Sequence, residues 1–143
     1  MDVFAIDIPA NVGKPTLNKE ILDRGLTYGS GLGANKKVDV GPPAFTSWAI
    51  LGSTLGHEVE VHCNQSFLFI WLSELFHMSG TVYAEREAYE YEIENSERFG
   101  LSIEEKNQIA YTKNFYYPLA VMSEKASRID KLVATYLLSR KTK

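Results

Sequence analysis

The sequence predicts a mainly α fold, with about five helices behind a short loop-rich N-terminal segment that carries some β structure. Three observations lead there. Most of the glycines and four of the five prolines fall in residues 1–43, which breaks that stretch into turns. From residue 44 onward, apolar side chains recur at helical spacing. Capping residues also stand where helices of ordinary length would start and stop.

Val3 to Ile8 reads as a short strand and Gly29 to Asp39 as a hairpin. The glycine-rich piece from Tyr28 to Asn35 lacks the Gly-Lys-Ser/Thr ending of a phosphate-cradling loop, so it reads as an ordinary loop. Residues 1–43 are then a loop-rich lead, either a linker from a larger polypeptide or a lid. Residues 44–143 form the helical candidate catalytic domain, in a single domain overall. Pro42 and Pro43 suit a first helical turn. The first helix is predicted over about 44–65, with Phe45, Trp48, Leu51, Leu55, Val59 and His62 recurring along it. A second covers 67–78 and stops at Gly80. A third covers 82–99, with Gly100 just past its end. Ser102-Ile-Glu-Glu105 is a capping box that opens a fourth. A last helix is predicted from Pro118 to Ser139, with Arg140 and Lys141 at its negative end. The aromatics Phe67, Phe69, Trp71, Phe76, Phe115, Tyr116 and Tyr117 read as core.

The chain has 143 residues and is 45% hydrophobic, 12% aromatic and 23% charged, which excludes a disordered tail, a collagen-like chain or a coiled-coil rod. A net charge of −3 argues against a dedicated nucleic-acid binder. With Cys63 as the lone cysteine, no intrachain disulfide can form. No signal peptide is expected, because the N-terminus has no basic region and carries Asp2 and Asp7. The most apolar run, Ser66 to Leu72, is too short to cross a bilayer, so no membrane insertion is expected.

Chemistry concentrates in Leu55-Gly-His-Glu-Val-Glu-Val-His-Cys-Asn-Gln65. The pattern closest to it is His-Glu-x-x-His. There, histidines four apart share a zinc from one helix face, and the glutamate between them reaches the metal-bound water as general base. Here His57 and His62 are five apart, which places them about 140° apart around a regular helix. A π-bulge would bring them to one face. Without it, Glu58 and His62 share a face and form the alternative ligand pair. Gln65, one turn past His62, is placed to orient it.

Further along lies Ala84-Glu-Arg-Glu-Ala-Tyr-Glu-Tyr-Glu-Ile93. Its Glu85-Arg-Glu-Ala-Tyr89 resembles the Glu-x-x-Ala-Asp segment from which one large zincin group takes a third ligand. The match assigns that ligand to Glu85, with Glu87 as fallback and Tyr89 where the aspartate would be. Glu85, Tyr89 and Glu92 also share one helix face that could point inward, whereas Glu87, Glu90 and Glu94 share another. Taken as a whole the acidic run reads as a solvated face.

Gly41-Pro-Pro-Ala-Phe-Thr-Ser47, Leu51-Gly-Ser-Thr-Leu-Gly-His-Glu58 and Glu85-Arg-Glu-Ala-Tyr89 together resemble the metallopeptidase-like toxin domains at the C-termini of Rhs-type polymorphic toxins. They also resemble the broader zincin-like group. The resemblance spans roughly residues 38–105. It implies a zinc-dependent peptidase delivered as part of a larger polypeptide or by a secretion system, with a polypeptide or cell-wall substrate and a cognate immunity protein. It further implies His57, His62 and Glu85 as zinc ligands and Glu58 as general base. Two other classes stay open on the residues alone. One is a metal-free, muramidase-like glycosidase using paired carboxylates from Glu58, Glu85 and Glu87. The other is a non-enzymatic binding or immunity-type module whose acidic helix meets a basic partner.

Overall fold

A computed structural model describes residues 2–30, 35–76 and 79–119. Among these the protein is mainly α, with a small three-stranded sheet contributed by the N-terminal third. The strands are β1 (Thr16–Leu17), β2 (Gly25–Ser30) and β3 (Asn35–Val40), in the order β1-β3-β2. β2 and β3 form the expected hairpin, antiparallel, with Thr27 opposite Val38 and Ser30 opposite Asn35. β1 runs parallel to β3, Thr16 opposite Asp39. Among the described residues β2 has a neighbouring strand on one side only.

No strand forms between Val3 and Ile8, which corrects the sequence expectation. Asp2–Phe4 is a single 3₁₀ turn, and Ala5 has a φ of 51° that breaks an extended run. Instead of a neighbouring strand, Arg98 takes the carbonyls of Phe4 and Ala5, at 3.1 and 2.8 Å. The segment then gives Ile6 and Val12 to the core. Val38 and Val40 of β3 join them against Ala44, Leu55, Val59, Cys63 and Phe99. The first 43 residues and the helices thus share one apolar cluster.

The helices are α1 (Trp48–Leu55), α2 (Phe67–Leu75), α3 (Gly80–Glu94), α4 (Ser96–Phe99) and α5 (Ile103–Tyr116). Ser47 caps α1 by accepting from the amide of Ile50 at 3.0 Å. The capping box at Ser102 and Glu105 is complete, with reciprocal bonds of 3.1 and 2.8 Å. Glu105 also accepts the Ser47 hydroxyl at 2.5 Å, so one carboxylate ties together the starts of α1 and α5.

The predicted third helix is divided at Asn95, where ψ is 17°. Gly100, with φ 72°, ends α4 as expected. Gly80 does not stop α2. It opens α3, where a Cβ would lie 2.6 Å from that of Ser73, so its role is close helix approach. The reading of the aromatics as core is corrected for several of them. α2 fully buries only Ser73 and leaves Phe69 and Trp71 exposed; Phe76 just past its end and Phe115 and Tyr116 of α5 are exposed too. The predicted helix from Pro118 to Ser139 lies almost wholly outside the described residues, as does His77. No helix among the described residues is long and apolar enough to cross a membrane.

Candidate metal centre

α1 passes without a break into a π-helical segment, Gly56–His62, so the helix over residues 48–62 is not regular. The amide of Cys63 reaches back five residues to the carbonyl of Glu58, at 3.0 Å. Two neighbours hold this register. Gly56 lies under Phe99 and Tyr91, where a Cβ would meet a ring carbon at 2.7 Å. At the other end stands Lys36, the one charged residue on the buried face of β3. Its ammonium donates all three protons to main-chain carbonyls, those of His62, Cys63 and Gln65, at 3.0, 2.8 and 2.5 Å. These are carbonyls at a helix C-terminus, where a cation is favoured.

The π register brings His57 and His62 to one face. Their Nε2 atoms stand 3.0 Å apart. Glu85, on α3, presents its carboxylate at 3.2 Å from His62 Nε2 and 3.7 Å from His57 Nε2. His57, His62 and Glu85 form a group that could hold a metal ion, with ligand atoms all within 4.8 Å of one another. Tetrahedral bonds of about 2.0–2.2 Å require ligand atoms about 3.3–3.6 Å apart, so these three separations bracket the geometry of a zinc site.

The hydrogen bonds fix both tautomers. Glu92, with no exposed surface, accepts at Oε1 from His57 Nδ1 at 2.7 Å. An ionised carboxylate only accepts, so His57 carries its proton on Nδ1. Gln65 donates its amide to the carbonyl of Ala84 and to Glu87 Oε2, at 3.0 and 2.8 Å. Its oxygen therefore faces His62 Nδ1, 2.7 Å away, and that nitrogen too must donate. When both rings are neutral, two Nε2 lone pairs and a carboxylate converge: three Lewis bases, the donor set of a cation site. In the metal-free protein a proton takes the cation's place. Burial opposes a charge on His57, but Glu85, Glu92 and Glu58 outweigh it and raise its pKa to about 9. Burial likewise works against the Glu85 carboxylate, yet the two imidazoles hold it at about 2.

Of the residues singled out from the sequence, Gln65 touches His62 as expected. Glu87 holds Gln65 and stands outside the ligand group. Tyr89 packs its ring edge-on against His57, centroids 4.9 Å apart, and burial raises its phenol pKa. Glu58 is buried, and its Oε2 accepts the Thr27 hydroxyl at 2.7 Å. Its side chain lies against Gly25, where a Cβ would fall 2.5 Å from Oε1. Cys63 is buried with its thiol pKa raised by burial, which suits a packing role.

Three partners escaped the sequence reading as members of the site: Arg24, Thr27 and Ser53. The Ser53 hydroxyl binds Glu92. Arg24 clamps both oxygens of the same carboxylate, at 3.0 and 2.7 Å, and with burial opposing it the Glu92 pKa is held at about 2 by His57 and Arg24. Glu92 itself was visible as the inward end of the Glu85–Tyr89–Glu92 stripe. Nothing local in Asp-Arg-Gly marks Arg24.

The centre opens into a cleft of about 940 Å³. Residues 22–29, running into β2, line one side, and α3 and α5 contribute Ala84, Tyr89, Gln108 and Ile109. Glu58, Glu85 and both histidines line it as well, and Glu87 does not. Thr54, one turn before His57, lines it with a buried hydroxyl that has no partner among the described residues. Compared with models of known protein families, with curated proteins and with solved structures, the chain matches none.

Proposed function

We propose that this chain is a zincin-like, zinc-dependent peptidase acting as a toxin or effector module. The observation that carries the metal-hydrolase part is the π register: it supplies the five-residue spacing with the common face that a regular helix denies. Two imidazoles and a carboxylate suit zinc among the common divalent metals. Bound there, the metal supplies a Lewis acid that polarises a carbonyl and eases ionisation of water.

The chain's own residues divide the remaining work. Glu58 is the general base, taking a proton from the attacking water and passing it to the leaving amine as the C–N bond breaks. Thr27 and Gly25 fix where its carboxylate stands. Glu92 and Gln65 fix the two imidazoles. The cleft wall at 22–29 ends in a strand whose outer edge is unpaired among the described residues, which offers main-chain groups to an extended polypeptide. The effector role, delivery within a larger polypeptide and a cognate immunity protein rest on the resemblance of residues 38–105. A glycosidase using Glu85 as its acid is disfavoured, because a carboxyl held at about 2 is ionised at neutral pH.

The test is metal content by mass spectrometry for the purified protein and its His62→Ala variant, followed by cleavage of casein. Near-stoichiometric zinc, lost in the variant, together with cleavage abolished by Glu58→Gln, is the expected result. No metal in either protein after zinc is added back would overturn the proposal.

A further inference from the structure

We infer that Arg24, from the loop-rich lead, is a positioning residue of the metal centre, acting through Glu92 to set the imidazole of His57. The inference rests on the metal-centre reading above. Arg24 lies just before β2 and reaches 68 residues along the chain to α3. Its guanidinium meets Glu92 as a fork: Nη1 to Oε2 at 3.0 Å and Nη2 to Oε1 at 2.7 Å. That leaves one further donor on each carboxylate oxygen. Oε1 receives His57 Nδ1 and Oε2 receives the Ser53 hydroxyl.

Four donors on two oxygens leave the carboxylate no freedom to rotate. Because Arg24 and His57 share Oε1, the fork fixes the point toward which His57 Nδ1 must aim, and hence the direction of Nε2 on the other side of the ring. Arg24 also lies over the ring of Tyr89, 5.8 Å from its centroid, and Tyr89 closes the side of His57 edge-on. One arginine therefore orders both groups that hold the imidazole. A lysine offers a point charge on a flexible stem and cannot reproduce this fork.

The consequence concerns the first 43 residues. Read from sequence they are a lead or a lid. In the fold they carry the outermost support of a metal ligand, so the centre is composite, built from the lead and the helices together.

Arg24→Gln and Arg24→Lys test this in the full chain, with two readouts. The first is the affinity for zinc ion, measured by competition with a chelator. The second is the tautomer of His57 in the metal-free protein, read from imidazole ¹⁵N shifts above pH 9, where the ring is neutral. Arg24→Gln is expected to weaken zinc binding by about 10–100-fold and to release His57 into a mixture of tautomers. Arg24→Lys is expected to restore only part of either. Zinc affinity within twofold of wild type and an unchanged tautomer in Arg24→Gln would overturn the inference. Full restoration by lysine would also overturn it, because charge alone would then suffice. Should Arg24→Gln fail to fold, Ser53→Ala removes one donor from Glu92 and is expected to shift both readouts in the same direction by less; no shift in either counts against the clamp. If the wild-type chain binds no zinc, the metal-centre reading fails, while the tautomer measurement still decides whether Arg24 orders His57.

Discussion

Replacing Lys36 with methionine should both destabilise the protein and release the π register. Methionine keeps an unbranched apolar stem beside Phe67, over whose ring the ammonium lies 4.2 Å from the centroid, but donates no hydrogen bond. The carbonyls of His62, Cys63 and Gln65 lose their shared donor. The His62 carbonyl keeps the amide of Gln65 at 3.3 Å, so two carbonyls are left unpaired, and at about 1–3 kcal/mol each they cost roughly 2–6 kcal/mol. Two effects reduce this. Burial pushes the Lys36 pKa down, so removing the ammonium relieves a desolvation cost, and Gln65 is only partly buried, so water can replace its donor. A net loss of about 3 kcal/mol remains the expectation, and for a domain of this size it lowers Tm by about 10 °C. The second consequence is functional. A regular helix satisfies more of its own carbonyls than the π segment does, so the variant should relax toward it and turn His57 and His62 away from each other. Urea denaturation and zinc stoichiometry measure the two effects. A stability change under about 0.5 kcal/mol, with one zinc still bound, would show that Lys36 does not hold the register.

Other outcomes follow from the same geometry. In the metal-free protein, His57 contributes stability that is fully present below its ordinary value of 6.5 and is lost as pH rises through about 9. Glu85 and Glu92, each held at about 2, contribute stability present above 4.5 and lost as pH falls toward 2. Tm measured in chelator should therefore plateau between those limits and decline toward pH 9. Added zinc should lift it most at the alkaline end, where His57 is neutral; a rise in metal-free Tm from pH 6.5 to 9 would contradict the assignment. Gly25→Ala places a methyl group against Glu58 and should cut casein cleavage on the order of 10²-fold while zinc affinity stays within twofold. Gln65→Ala should do the reverse, weakening zinc binding by about 10-fold as measured by chelator competition, because it frees the His62 ring.

Those contrasts follow what the sequence made legible. The hairpin, the capping box at Ser102 and the stop at Gly100 were readable because each rests on local chemistry confined to a few residues. The strand expected at Val3–Ile8 failed because Arg98, more than ninety residues away, takes its carbonyls. The aromatics of α2 misled because periodicity cannot tell a buried face from one left open. Among the site residues, Glu92 could be found from the stripe it shares with Glu85 and Tyr89. Arg24, Thr27 and Lys36 act on the centre from distant parts of the chain, and no spacing in the sequence announces such contacts.

The five-residue spacing is where both kinds of information meet. On a regular helix it counts against a shared metal, and the same count becomes the right one once the amide of Cys63 bonds five residues back. The extra residue that shifts this register also leaves the end of the helix with carbonyls that the turn itself does not satisfy. Lys36 takes those of Cys63 and Gln65, and it can stand beneath them only because β3 carries it there on its buried face. Sheet, π segment and ligand pair are therefore one device. The irregular helix creates the common face, the sheet supplies the cation that makes the irregularity tolerable, and α3 closes the centre with Glu85 on one side of His57 and Glu92 on the other. A lysine on the buried face of a strand and an off-by-one histidine pair each look like a departure from pattern, and each has its physical reason in the other.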